Sequence, residues 1–159
     1  MGERGLPTGL VTVRPARRED ADAITALVRE AYAEYVPLIG REPAPMTCDY
    51  SQVVEAGHTW VAEQDGTVVG VLVLALARTH LLIENLAVAT DRQCAGIGAL
   101  LLRAAEEQAL RAGLGQIRLY TNEAMTPNLT YYPRHGYSET HRADQDGYHR
   151  VFYAKNLNP

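Results

Sequence analysis

Two clusters of residues in this chain have the types and spacing that chemistry needs. The first is Glu84-Asn85-Leu86-Ala87-Val88, followed after five residues by Cys94-Ala95-Gly96-Ile97-Gly98 at the opening of an amphipathic stretch. Glycines at a strand-to-helix turn let backbone amides approach an anion, and the first turn of a helix leaves amides without intrahelical partners. A phosphate or pyrophosphate is the expected ligand, and a tight loop without ligand is the competing reading. Leucine at position 101 excludes the G-x-G-x-x-G dinucleotide pattern, and the absence of a following Gly-Lys-Ser/Thr excludes a Walker loop. The second cluster is Asn128-x-x-x-Tyr132-Pro133-Arg134-His135-Gly136-Tyr137. Asn128 and Tyr132, four apart, share one face of a short helix.

Glu84 lies mid-strand on the face of Leu82, Leu86 and Val88, where an unpaired carboxylate is costly to bury. It reads as a general base, or as a structural carboxylate paired with an arginine. Glu123, just after the strand-like Ile117 to Thr121, is the rival base. Cys94 at a helix N-terminus has a lowered thiol pKa, but the motif places no histidine beside it. An oxidation-prone thiol is expected there, not an acyl-cysteine. His80, His141 and His149 lack metal-ligand spacing, so no metal is expected. Tyr131 and Tyr137 read as core aromatics, and Arg134 with His135 as a solvated turn or a ligand contact.

The elements that position these groups follow from periodicity and punctuation. Val11 to Arg14 reads as a strand. Ile24, Leu27, Val28, Ala31, Tyr32 and Tyr35 follow helical spacing between Arg18 and Val36, with acidic residues in the first turn. Three prolines and a glycine make Pro37 to Met46 a φ-restricted loop, and a short helix over Asp49 to Ala56 ends at Gly57. Strands are expected at His58 to Glu63, Val68 to Leu76 and His80 to Val88, the first two joined by the hairpin signal Asp65-Gly66. A helix from Gly96 to Ala112 has the inner stripe Ile97, Leu101, Leu102, Ala105, Ala109 and Ala112, and Gly113 stops it. After Ile117 to Thr121, Thr126 and Pro127 open a short helix that Gly136 closes, and His149 to Ala154 is a last strand. The order predicts an α+β, or mixed α/β, sheet with helices on both faces.

The chain has 159 residues, 47% of them hydrophobic and 21% charged, which fits one domain spanning residues 1–159 with a sizeable core. No run reaches the ~18 apolar residues of a membrane helix, and the first ten residues lack the apolar segment of a secretory signal. Two cysteines make no disulfide framework, so a cytoplasmic setting is expected. The net charge is −4 and Lys155 is the only lysine, which argues against nucleic acid or an anionic membrane as partner.

The spacing Gln93-x-x-Gly96-x-Gly98 resembles the Q/R-x-x-G-x-G/A pyrophosphate loop of the GNAT superfamily of N-acetyltransferases. The Asn128 to Tyr137 run resembles that family's second signature, an Asn followed by a Y-x-K/R-x-G-F/Y turn. The resemblance spans Val11 to Leu157, and Tyr35 to Met46 with the Gly-Tyr-x-Arg-Val ending at Val151 looks like an uncharacterised bacterial subgroup. It implies a mostly antiparallel twisted sheet with a splayed parallel strand pair, and acetyl-CoA as co-substrate. By the same resemblance, backbone groups of Leu86, Ala87 and Val88 hold the pantetheine arm, and one of their N–H groups holds the oxyanion. Amides of Gln93, Cys94, Ala95, Gly96, Ile97, Gly98 and Ala99 surround the pyrophosphate. Asn128 also holds the pantetheine, and Tyr132 protonates the departing thiolate. Tyr32, Tyr35 and the Ile39 to Met46 loop with Arg41 border the acceptor, with Glu123 nearby, although both tyrosines also fit the core stripe.

Two departures stand out. Many members have arginine where this chain has Ala95, with Arg92 as the nearest substitute. Pro133 interrupts the short helix beside Tyr132. The implied reaction is direct acetyl transfer to a primary amine, on a small molecule or a peptide. A non-catalytic CoA-sensing module is the alternative. A homodimer is compatible with the sequence, which leaves the pairing of subunits and the identity of the amine open.

Overall fold

The computed structural model describes residues 9–93 and 95–157. The strands are β1 (Thr12–Pro15), β2 (Thr59–Gln64), β3 (Thr67–Leu76), β4 (Leu81–Val88), β5 (Gln116–Asn122), β6 (Ser138–Gln145) and β7 (Tyr148–Asn156). The α-helices are α1 (Ala21–Tyr32), α2 (Val36–Ile39), α3 (Tyr50–Glu55), α4 (Ile97–Arg111) and α5 (Thr126–Arg134). The strands form one sheet in the order β1-β2-β3-β4-β5-β7-β6. Every neighbouring pair is antiparallel except β4 and β5.

Helices cover both faces, as the alternation of apolar residues requires. Ile97, Leu101, Leu102, Ala105 and Ala109 of α4 bury against Ala62, Leu72, Leu74, Leu81, Ile83, Ile117 and Leu119 of the sheet. On the other face Ile24, Leu27, Val28 and Ala31 of α1 join Tyr50 and Val54 of α3 over Val61, Val71, Val73 and Ala87. Ala112, assigned to the inner stripe, is exposed because it follows the last helical residue. The Asp65-Gly66 pair turns β2 into β3 with φ of 51° and 76°, as a two-residue hairpin loop requires.

The sequence and the fold differ at three places. Val36–Ile39, expected to begin a loop at Pro37, is a helical turn, because proline is tolerated in a first helical turn; Ala44–Thr47 forms a 3-10 turn. Ser138–Gln145, given no assignment from the sequence, is β6, an edge strand exposed at every position. The last strand begins one residue earlier than His149 and extends to Asn156. Among the helices that the structure describes, none is long and apolar enough to cross a membrane.

Candidate active site

The pairing of β4 with β5 stops after Leu81–Ile117, Leu82–Arg118 and Ile83–Leu119. Val73 of β3 faces Asn85, but Leu74 faces Ile83, so Glu84 is the extra residue of a bulge. A bulge bends its strand and increases local twist, and this one falls where β4 and β5 separate. The carboxyl-terminal half of β4 therefore keeps β3 and leaves β5, opening a cleft.

Ala89 donates its amide to the Val69 carbonyl at 2.9 Å. Antiparallel partners alternate, so Ala87 and Asn85 also turn their peptide groups to β3, and Leu86 and Val88 turn theirs into the cleft. Two contacts agree with this alternation. The Tyr32 hydroxyl reaches the Leu86 carbonyl at 3.4 Å, and Gln93 Nε2 reaches the Val88 carbonyl at 3.5 Å. The Ala87 side chain is buried against α1, so only its backbone belongs to this region.

Two cavities adjoin along the cleft, sharing Tyr32, Leu86, Asn128 and Tyr132 in their walls. The larger, about 1160 Å³, also has Tyr35, Val88, Gln93, Gly98, Tyr131 and Arg134 in its lining. It runs to the amino end of α4. There Gly96 caps the helix at φ 82°, a left-handed conformation that favours glycine. Gly98 is needed for a different reason: a Cβ there would stand 2.3 Å from the Tyr131 hydroxyl. Ile97 points its side chain into the core and offers only its amide, while Ala95 and Gly96 are exposed. Cys94 lies outside the described residues. Arg92 gives its Nε to Gln64 at 3.2 Å and its Nη1 to Asp91 at 2.9 Å, and Arg134 is the arginine that lines the cavity instead.

α5 carries the second cluster. Its backbone continues through Pro133 to Arg134, and its end is fixed by Lys155, which pairs with Glu106 of α4 and donates to the His135 carbonyl at 3.0 Å. Asn128 Nδ2 donates to Thr121 Oγ1 at 2.9 Å, which holds the side chain against β5. Its Oδ1 accepts nothing among the described residues, so an N–H of a ligand can be received there. Tyr132 is 7% exposed, edge-on to Tyr131 and Tyr137 at centroid separations of 5.4 and 5.8 Å. Burial pushes its phenol well above the ordinary tyrosine range, with Tyr32, Tyr131 and Tyr153 adding to the effect. It therefore stays protonated at all physiological pH values.

The smaller cavity, about 560 Å³, is bounded by Glu84, Asn85, Tyr120, Thr121, Asn122, Tyr148 and Arg150, with Pro43, Ala44 and Pro45 over it. Glu84 is exposed and has neither a hydrogen bond nor an ion pair among the described residues. The bulge carries it clear of the packed face, so the expected burial is not found, and no arginine pairs with it. Asn85 is buried, accepts the Tyr32 hydroxyl at 2.7 Å and donates to the Tyr50 hydroxyl at 3.1 Å, which in turn donates to the Pro45 carbonyl at 2.6 Å. Burial pushes the Tyr32 and Tyr50 phenols up as well.

Tyr35, Arg41 and Glu123 complete the candidate set. Tyr35 borders the larger cavity, not the smaller. Arg41 is exposed and clamps: its guanidinium stacks 4.1 Å from the Tyr148 ring centroid and donates to the Asp146 carbonyl at 3.2 Å. Glu123 is exposed, paired with Arg142 at 3.1 Å, and absent from both cavity walls. Conversely, Tyr148 and Arg150, quoted from the sequence only within the Gly-Tyr-x-Arg-Val run, were given no role at the site. The signal was present in Asp146-Gly147, a second Asp-Gly pair with φ of 55° and 81°, which turns β6 into β7 and sets residues 148 and 150 on one face.

The model of the acetyltransferase (GNAT) family matches residues 24–137, more than half of the chain. No curated protein matches it in sequence. The solved structures it resembles include PaiA N-acetyltransferase of Thermoplasma acidophilum in complex with coenzyme A, at 18% identity and TM-score 0.77 over 93% of this chain and 99% of that one. The ribosomal-protein-S18-alanine N-acetyltransferase of Escherichia coli has 16% identity and TM-score 0.74 over 94% and 96%. The IAA acetyltransferase of Bacillus cereus has 25% identity and TM-score 0.69 over 93% and 100%. With its splayed parallel pair, its glycine-opened α4 and a family match that spans both signatures, the chain belongs to the acetyltransferase (GNAT) family.

Proposed function

We propose that the chain transfers an acetyl group from acetyl-CoA directly to a primary amine within a ternary complex. The observation that carries this reading is the meeting of the two cavities at Tyr132 between the diverging β4 and β5. The larger cavity takes the CoA arm. Its phosphates lie at the amides that open α4, where the helix dipole also favours anions, with Gln93 and Arg134 alongside. The pantetheine amides pair with the Leu86 and Val88 peptide groups that β5 leaves free, and with Asn128 Oδ1.

The acceptor enters from the smaller cavity. Glu84 takes a proton from its ammonium, directly or through water. The freed nitrogen lone pair attacks the thioester carbonyl carbon, and the oxyanion is held by an inward N–H of Leu86 or Val88. The C–S bond then breaks, and the thiolate takes the Tyr132 phenolic proton as it leaves. The acetylated nitrogen gives up its second proton to the Tyr132 phenolate, directly or through water, and Glu84 releases its proton to solvent, giving free CoA thiol and an N-acetyl amine. A phenol held protonated by burial is a weak acid, so it acts as a hydrogen-bond donor that completes its transfer late. Screening an amine library with acetyl-CoA and reading thiol release tests the function. Thiol release matched by N-acetyl product supports it. Binding of acetyl-CoA with no amine-dependent release contradicts it and favours a CoA-sensing module.

A further inference from the structure

Acetyl transfer as written makes no use of Arg150, yet the smaller cavity is built with it. Arg150 is 8% exposed and lines that cavity. Its guanidinium lies 4.2 Å from the Tyr120 ring centroid and 5.5 Å from that of Tyr148. Nη1 donates to Gln145, and the nearest carboxylate, Asp146, is 3.8 Å away and exposed. Nε and Nη2 have no hydrogen-bond partner among the described residues, and neither is sealed from solvent. Arg150 and both rings beside its guanidinium, those of Tyr120 and Tyr148, line the smaller cavity.

A largely buried guanidinium with two unpaired donors that solvent can reach has room for one more acceptor, and its planar fork matches the two oxygens of a carboxylate. Glu84 supplies the opposite charge in the same lining, and Asn85, Thr121 and Asn122, which also line it, are neutral. The roof is tied down by the Tyr148 hydroxyl on the Glu42 carbonyl and the Tyr50 hydroxyl on the Pro45 carbonyl, both at 2.6 Å. A partly roofed cavity with one group of each charge fits a small zwitterion.

We infer that the acceptor is a small primary amine that also carries a carboxylate, as an amino acid does, with its ammonium toward Glu84 and its carboxylate toward Arg150. This rests on the acetyl-transfer reading and narrows it. A lysine within a protein chain presents no carboxylate on the same small unit.

Matched sets of a free amino acid, its amide and its decarboxylated amine, all offered with acetyl-CoA, test the inference. The native protein is expected to favour the free acid by about 10- to 100-fold in kcat/KM, the range of a hydrogen-bonded charge pair. Arg150→Gln is expected to remove that preference, with the decarboxylated amine changed less than threefold and the thermal shift by CoA retained. Arg150→Lys, which keeps charge without the fork, is expected to fall between. If Arg150→Gln does not fold, the acid-to-amide ratio of the native protein decides alone. Turnover without preference for the acid overturns the carboxylate assignment and leaves acetyl transfer standing. Equal losses for acid and decarboxylated amine in Arg150→Gln overturn it too. No turnover of any amine overturns both.

Discussion

The Tyr131 hydroxyl occupies the space a side chain on Gly98 would need, 2.3 Å from where its Cβ would be. The start of α4 and α5 thus approach closely here, and a side chain at position 98 would have to displace the Tyr131 hydroxyl, which lines the larger cavity with it. Gly98→Val is expected to abolish the rise in melting temperature that CoA causes by binding the folded state. Gly98→Ala is expected to weaken it, and Gly98→Ala with Tyr131→Phe to recover most of it, because the next atom of Tyr131 is 3.2 Å away. Failure of the double variant to recover would mean that the methyl group blocks the phosphates themselves.

The glycine-capped start of α4 and the Asn128–Tyr132 face of α5 were legible in the sequence because both are carried by local spacing. Glu84 was legible as a residue type, but its exposure was not. One bulge residue changes which groups of a strand meet solvent, and nothing in Leu82 to Val88 marks it. Arg150 needed long-range knowledge: only the β5–β7 pairing, Asn122 opposite Arg150, brings it beside the cleft. The edge strand β6 escaped because strand patterning reports burial, and Ser-Glu-Thr-His-Arg-Ala-Asp-Gln is exposed throughout.

The roof and the larger cavity can be separated by kinetics. Arg41→Ala removes the stack on Tyr148 and is expected to raise the acceptor KM several-fold while leaving the acetyl-CoA KM within twofold. Tyr35→Ala, on the other cavity wall, is expected to do the reverse. Initial rates with each substrate varied in turn check both, and equal effects on the two constants would dissolve the division of labour.

Glu84→Gln is expected to lower kcat/KM by at least about tenfold near pH 7, at or below the usual range for a general base. The deficit should narrow as pH approaches the acceptor's own pKa, where the amine arrives neutral. A pH profile of both proteins checks this. A constant deficit at every pH would make Glu84 an electrostatic contact.

Asp20 gives a stability prediction with a defined sign. Arg14 holds its carboxylate below the usual range, against the opposing effect of burial, with bonds of 2.8 and 3.0 Å. A depressed folded-state pKa contributes stability above the unfolded value, near 3.9, and loses it as pH falls through the folded value. Asp20→Asn should therefore cost about 1.5–3 kcal/mol at pH 7, with the gap narrowing as pH falls from the unfolded value, near 3.9, toward the lower folded one. Urea melts at pH 7 and pH 2.5 measure it, and a gap unchanged at low pH would show that the carboxylate's charge is not what matters.

Tyr132 bears the central claim most directly, because both cavities end on it and its phenol is kept protonated by burial. Phenylalanine keeps the ring packed against Tyr131, Tyr137 and Tyr153, so the fold and the CoA arm should be undisturbed. The decisive measurement is kcat of Tyr132→Phe at saturating acetyl-CoA and amine, beside the CoA dissociation constant. A loss of roughly 10²-fold, at the low end of general-acid effects, with CoA affinity within twofold is the expected result. A loss below about threefold, or retained kcat with collapsed CoA binding, would contradict proton delivery from Tyr132.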